Sequence, residues 1–175
     1  MKNRFNDSIQ EELPSLWRFA YRLTCSQDFA EDLVQRTVLR GLEKQHQYQV
    51  GSKLRSWLFA IMHSIWKNEL RSTMIRKNYA FSLKQEATEH YDCVGESSQM
   101  LREVKEQVDL LPEAQRTVLL LVSVEGYSYK EAAEILDIAV GTVMSRLSRA
   151  RMTIGKHFIN DEKSAKTMTG VKNEN

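Results

Sequence analysis

The sequence predicts an all-α protein: two small helical domains joined by a flexible linker. Three observations predict it. Apolar residues recur at three- and four-residue intervals through most of the 175 residues. Only 2 Pro and 7 Gly interrupt them, too few for turn-rich β structure. The periodicity fails once, over a polar and acidic stretch near the middle. The expected division is a helical domain at 6–76, a flexible acidic linker at 77–98, a second helical domain at 99–159 and a disordered tail at 160–175.

The pattern Ser8-x-x-Glu11 is a capping box and places the first helix start near Ser8. Leu13, Leu16, Trp17, Ala20 and Leu23 follow at helical spacing. A second box, Asp28-x-x-Glu31, opens a helix whose inner stripe is Ala30, Leu33, Val34, Thr37, Val38 and Leu42. Asp32, Gln35, Arg36, Leu39 and Arg40 lie off that stripe. Gln47 to Lys53, with Gly51-Ser52, reads as a loop. A third helix turns Leu54, Trp57, Leu58, Ile61 and Ile65 inward and ends near Met74 to Arg76. Trp57 is on the stripe and reads as core, whereas Trp66 is off it.

The linker contains His90-x-x-Cys93, two ligand types with no second pair, so no metal is expected there. Periodicity resumes with Leu101, Val104, Val108 and Leu111. Pro112 marks a new first turn, with Glu113 at the positive end of the helix dipole. Val118 to Val122 is apolar all round, hence a buried helix, and Gly126 ends it. A third box, Ser128-x-x-Glu131, opens a short helix to about Leu136. Asp137-Ile138-Ala139 forms a tight turn, and Asp tolerates left-handed backbone better than most residues. A longer helix then runs from about Val140 to Phe158, with Val143, Leu147, Ala150 and Ile154 inward. Small Ala132 at the crossing of the two helices fits a helix-turn-helix; the alternative is an αα-hairpin in a generic bundle.

The formal net charge of +2 hides a segregation. Between Lys53 and Lys77 the basic residues Lys53, Arg55, Lys67, Arg71, Arg76 and Lys77 face only Glu69. From Lys84 to Glu113 acids dominate. From Ile138 to Asn160 there is no acid against Arg146, Arg149, Arg151 and Lys156. Either basic block alone reads equally as solvated helix surface. Two such blocks flanking an acidic one are the footprint of a polyanion partner.

Other classes are excluded by the same residues. No apolar run approaches the ~20 residues of a membrane span, and the N-terminus turns polar at once, without a secretory h-region. Cys25 and Cys93 make neither a disulfide framework nor a CxxC pair. No phosphate-binding glycine loop, nucleophile elbow or converging His, Cys and carboxylate set is visible, so neither catalysis nor a cofactor is expected. A cytoplasmic chain is expected.

Four motifs, in order, resemble the sigma-70 family of bacterial transcription initiation factors, and specifically its small extracytoplasmic-function (ECF) class. Ala30 to Arg40 is similar to the family's region 2.2. Leu54-Arg55-Ser56-Trp57-Leu58-Phe59-Ala60-Ile61, running on to Asn68-Glu69-Leu70-Arg71, is similar to regions 2.3 and 2.4. Leu110-Leu111-Pro112-Glu113-Ala114-Gln115-Arg116 resembles the start of region 4. Val140-Gly141-Thr142-Val143-x-Ser145-Arg146-Leu147-x-Arg149-Ala150-Arg151 resembles its recognition helix. The resemblance covers roughly Asn6 to Phe158 and departs at Arg36, where an acid is usual, at Asp137 and Ala139 in the turn, and at Met144, where a basic residue is frequent.

The resemblance implies a sigma region 2 bundle and a sigma region 4 helix-turn-helix that bind core RNA polymerase and direct it to promoters. Asp32, Gln35, Arg36, Leu39 and Arg40 match the surface that docks on the clamp helices of the largest subunit. Ser64, Lys67, Asn68 and Arg71 match residues facing the opened minus-ten strand, with Trp66 a candidate stacking ring and the loop Gln47 to Lys53 helping to hold a base. His63 reads as a surface or phosphate-side residue. Ser145, Ser148 and Arg149 match base-side positions at the minus-thirty-five duplex, and Thr142, Arg146 and Arg151 match backbone positions. Glu86, Glu89, Asp92 and Glu96 fit a linker that mimics a polyanion in the polymerase channels. A cognate anti-sigma factor, often membrane-anchored, is implied as a partner, with no membrane insertion of the chain itself. A helix-turn-helix regulator that binds duplex alone would leave the Leu54 to Lys77 block unexplained, and an anti-sigma-type protein would lack the basic recognition helix.

Overall fold

The computed structural model describes residues 2–49, 53–79 and 99–169, with side chains over 5–49, 53–73 and 99–158. Among the described residues there are seven α-helices and no strand. The first unit holds α1 (Lys2–Thr24), α2 (Gln27–Glu43) and α3 (Leu54–Tyr79), and the second holds α4 (Gln99–Asp109), α5 (Glu113–Leu119), α6 (Tyr129–Leu136) and α7 (Val140–Thr169).

Helix α1 starts at Lys2, so Ser8 lies inside it and the Ser8–Glu11 pair does not mark its beginning. Pro14 sits within α1 and removes one backbone donor. Burial of Ile9, Leu16, Phe19, Ala20 and Leu23 holds the helix together across it. After α1, Cys25 takes a left-handed turn, φ 53°. The cap of α2 is Ser26, not Asp28. Thr24 organises this turn: its hydroxyl donates to the Ser26 carbonyl at 3.0 Å. Asp28 falls in the first turn, where its charge suits the helix dipole. Thr37 is fully buried in the stripe of α2, which it can be because its hydroxyl donates to the Leu33 carbonyl at 2.7 Å.

A short 3-10 turn, Gln45–Gln47, follows α2, and Tyr48 closes an aromatic cluster with Phe5 (5.5 Å) and Trp57 (5.4 Å). Trp57 is therefore a packing residue, as its stripe position implies. Helix α3 runs through residues 77–79, into the expected linker. The rest of that linker, with His90, Cys93 and the four acids, lies outside the described residues.

In the second unit Pro112 is the residue before α5, and its fixed φ of −51° starts the helix. Thr117 to Leu121 are buried, but the helix does not stay α to its end. Leu120–Val124 widens into a π-turn closed by Glu125 N–H to the Leu120 carbonyl at 2.9 Å. Gly126, φ 76°, then reverses the chain. The Ser128–Glu131 capping box is present in full. Asp137 is the left-handed cap of α6, φ 52°. Buried Ala132, Val143, Leu147 and Ala150 let α6 and α7 cross closely. Helix α7 continues to Thr169, ten residues into the segment expected to be a disordered tail. No Pro or Gly falls between 160 and 169 to stop it, and Gly170 comes next.

The two units are not joined by a loose tether alone: α3 packs on α6, and α1 touches α5. Phe59, stacked on Phe19 at 4.5 Å within the first unit, meets Tyr127 of the second edge-on at 5.9 Å. Phe59 is fully buried and Tyr127 nearly so. One continuous apolar core results.

Candidate nucleic-acid interface

Helix α7 shows two faces. Val143, Leu147 and Ala150 are buried at i, i+4 and i+7. Ser145, Ser148, Arg149 and Arg151 are exposed, while Thr142 and Arg146 are half-buried at the edge of the same face. Ser145 donates to the Thr142 carbonyl at 3.1 Å, which tucks its side chain down against the helix. Short serines flanked by arginines leave a surface that fits a major groove. Met144, 53% exposed, adds an apolar spot to this face in place of a charge.

Helix α3 carries the second cationic face. Ser64, Lys67, Asn68 and Arg71, at i, i+3, i+4 and i+7, are exposed along one side. Among the described residues, none of Lys67, Arg71, Arg146, Arg149 and Arg151 makes an ion pair. Their charges are thus available to a polyanion.

Trp66 differs from its expected role. Its ring is half-buried against the core, and its Nε1 is buried with no hydrogen-bond partner. The ring is part of the packing, not a free stacking platform. His63 is also more enclosed than a surface residue. Burial pushes its pKa down, and Lys67 and Arg146 add to the effect while Glu113 opposes it. Of the charges acting on it, Lys67 is on α3, Glu113 on α5 and Arg146 on α7.

On α2, Asp32, Gln35, Arg36, Leu39 and Arg40 are all exposed, Leu39 by 60%. Arg36 pairs with Asp32 at 3.1 Å and with Glu69 of α3 at 2.6 Å, so the departure from the usual acid ties α2 to α3. Arg40 pairs with Glu43 at 2.9 Å.

Four contacts that the sequence did not disclose cross between the units. Lys53 Nζ meets Glu131 Oε1 at 2.5 Å. Glu131 Oε2 meanwhile accepts from the Ser128 N–H at 2.9 Å, completing the cap. These donors, Lys53 first, hold the Glu131 carboxyl down to a pKa of about 2. Arg22 meets Glu125 at 3.4 Å. Cys25 Sγ donates to Asp109 Oδ1 at 3.4 Å, and Arg116 Nη1 lies 3.5 Å from the same sulfur. Burial, with Asp109 next, pushes that thiol up to about 11, so it stays protonated and unreactive.

Residues 101–154 match the family model "Sigma-70, region 4", and residues 9–63 match "Sigma2 domain of PhyR". The chain is 36% identical over 157 residues to the ECF RNA polymerase sigma factor EcfG of Rhodopseudomonas palustris, covering 86% of this chain and 83% of that one. It is 32% identical over 143 residues to the ECF RNA polymerase sigma factor SigC of Mycobacterium tuberculosis, covering 82% and 77%. Among solved structures it resembles the sigma factor RpoE of Bartonella quintana in complex with the anti-sigma factor NepR, with a TM-score of 0.77, 31% identity and coverage of 87% and 95%. CnrH in complex with the cytosolic domain of CnrY shares the fold, with a TM-score of 0.64, 21% identity and coverage of 92% and 91%. The chain belongs to the ECF class of the sigma-70 family and is a sigma factor that directs promoter-specific transcription initiation.

Proposed function

We propose that this chain binds core RNA polymerase through the outer face of α2, reads the minus-ten element with α3 and reads the minus-thirty-five element with α7. The observation that carries this reading is the pair of cationic faces, on α3 and α7, whose charges no acid in the described residues neutralises. Asp32, Gln35, Arg36, Leu39 and Arg40 supply the polymerase contact. Ser64, Lys67, Asn68 and Arg71 grip the extruded strand, with Asn68 able to donate and accept at a base edge. Ser145, Ser148 and Arg149 meet base edges in the upstream duplex, and Thr142, Arg146 and Arg151 meet phosphates.

Strand opening in this scheme uses binding energy toward the unpaired strand. The chain catalyses nothing; the polymerase supplies the chemistry. Residues 6–76 and 99–159 act as the two reading domains, and the acids of 77–98 mimic a polyanion in the polymerase. The site of action is the cytoplasm. Among the described residues no helix is long and apolar enough to cross a membrane. A cognate anti-sigma protein holds the chain inactive; the similar sigma factor RpoE of Bartonella quintana is found in complex with the anti-sigma factor NepR.

Run-off transcription tests the reading. Purified core polymerase, this chain and a library of genomic fragments are combined, and transcripts are mapped. Discrete promoter-specific transcripts that require the chain are expected. Active core that yields none would refute the assignment.

A further inference from the structure

The leading turns of α7 carry no charged side chain. From Val140 to Ser145 the residues are Val, Gly, Thr, Val, Met and Ser, and the first cation, Arg146, is half-buried at the edge of the face. In a helix-turn-helix this end of the second helix is the part that meets base edges. Val143 is buried here and Thr142 half-buried. Gly141 has no side chain, and nothing stands within 4 Å of where its Cβ would be. Ser145 commits its hydroxyl proton to the Thr142 carbonyl. The side chains that project from this end are therefore hydrocarbon. Val140 is 40% exposed and Met144 53%, and at i and i+4 they form one ridge. Met144 reaches further, because it is longer and unbranched.

Charge tells what lies against the ridge. Arg149 and Arg151 are exposed on the same helix and, among the described residues, make no ion pair. A nucleic-acid duplex drawn to them brings its groove onto Val140 and Met144. The major groove offers a hydrocarbon one matching group, the C5-methyl of thymine. At a cytosine the same ridge would cover the N4 amino donor without accepting from it, which costs binding. A thioether accepts hydrogen bonds only weakly, so Met144 cannot replace that contact.

We propose that Met144, backed by Val140, selects thymine in the upstream duplex by packing on its C5-methyl group, while Arg149 further along the helix supplies the hydrogen-bonded contact. This rests on the assignment of α7 to the upstream duplex under the proposed function.

Deoxyuridine scanning with the holoenzyme tests the contact. On promoter fragments recovered by run-off transcription, each thymine of the upstream element, on either strand, is replaced singly by uracil, which lacks only the methyl group. Binding is measured by competition against the unmodified fragment. With the wild-type chain, one or two replacements are expected to weaken binding about threefold to fivefold, the worth of one buried methyl. Met144→Ala is expected to bind the unmodified fragment more weakly by a similar factor and to be indifferent to the same replacements, which a double-mutant cycle reads as coupling. Met152→Ala is the control. Met152 is 56% exposed but stands eight residues on, ~12 Å along the axis, so this variant is expected to keep the wild-type sensitivity. An upstream element without thymine, a wild type indifferent to every uracil, or a Met144→Ala chain as sensitive as the wild type would overturn the proposal. Arg149→Ala separates it from the assignment beneath it. If Arg149→Ala weakens upstream binding while uracil changes nothing, only the thymine contact fails. If neither Arg149→Ala nor Met144→Ala alters upstream binding, or the library yields no transcript that requires the chain, both fail.

Discussion

Gly41 offers a test in which two known effects oppose each other. It is buried in α2 where α3 crosses. A Cβ built there would sit 3.1 Å from Leu58 Cδ2 and 3.6 Å from the Trp57 ring. Alanine gains about 1 kcal/mol over glycine in a helix interior. Against this, a 3.1 Å approach forces Leu58 to yield by a few tenths of an ångström. Leu58 is fully buried in close-packed surroundings, so the shift passes to its neighbours. Overpacking of this kind costs about 1–3 kcal/mol. The packing loss outweighs the propensity gain, and Gly41→Ala is expected to destabilise by about 1 kcal/mol, a factor of about five in the folding equilibrium. Because the two units share one core, melting should be a single transition, lowered by about 2–4 °C. Circular dichroism during urea and thermal unfolding reads both values. A variant more stable than the wild type by about 1 kcal/mol would show that α2 and α3 are further apart than this crossing implies.

Further outcomes follow from the same structure. Arg149→Ala should weaken binding to an upstream duplex by about 1–3 kcal/mol if its guanidinium is bidentate to guanine; mobility-shift assays with the isolated upstream element measure it. Asn68→Ala should leave that duplex affinity intact and reduce strand opening, which permanganate reactivity of unpaired thymines detects. Asp137→Gly should stabilise by about 0.5–1 kcal/mol, because glycine adopts the left-handed cap without a Cβ clash; denaturant midpoints report it. His63 predicts a pH dependence: its folded pKa lies below the ordinary 6.5, so its contribution is complete above that value and is lost as pH falls through the depressed one. Urea midpoints at pH 7.5 and 5.5 should differ in the wild type, and His63→Gln should reduce the difference.

Local chemistry made much of this legible in the sequence. Ser128 and Glu131 announced a cap because both partners sit within one turn, and Asp137 announced its left-handed bend for the same reason. The identical pattern at Ser8 misled, because capping boxes mark a start only if the preceding residues are not helical, and α1 extends back to Lys2. The cationic faces of α3 and α7 were readable from spacing and charge. The contact between the two units was not. Periodicity says which side of a helix is apolar, never which distant element will cover it, so nothing in the pattern singled out Phe59 or Tyr127. Trp66 shows the same limit: a position off the stripe did not exclude packing against the core.

The wide turn at Leu120–Val124 carries a consequence for how this protein tolerates length changes. A regular helix advances each residue by about 100° around its axis. A π-turn holds one surplus residue without passing that rotation downstream. Deleting that surplus residue would therefore restore regular winding and leave Glu125 and Tyr127 at the same azimuth. Arg22 and Phe59 would keep their partners in the second unit. Removing a residue from a regularly wound stretch of α5 would instead turn everything downstream by about 100°, so the wide turn is where this half of the chain can shed length without losing its grip on the other.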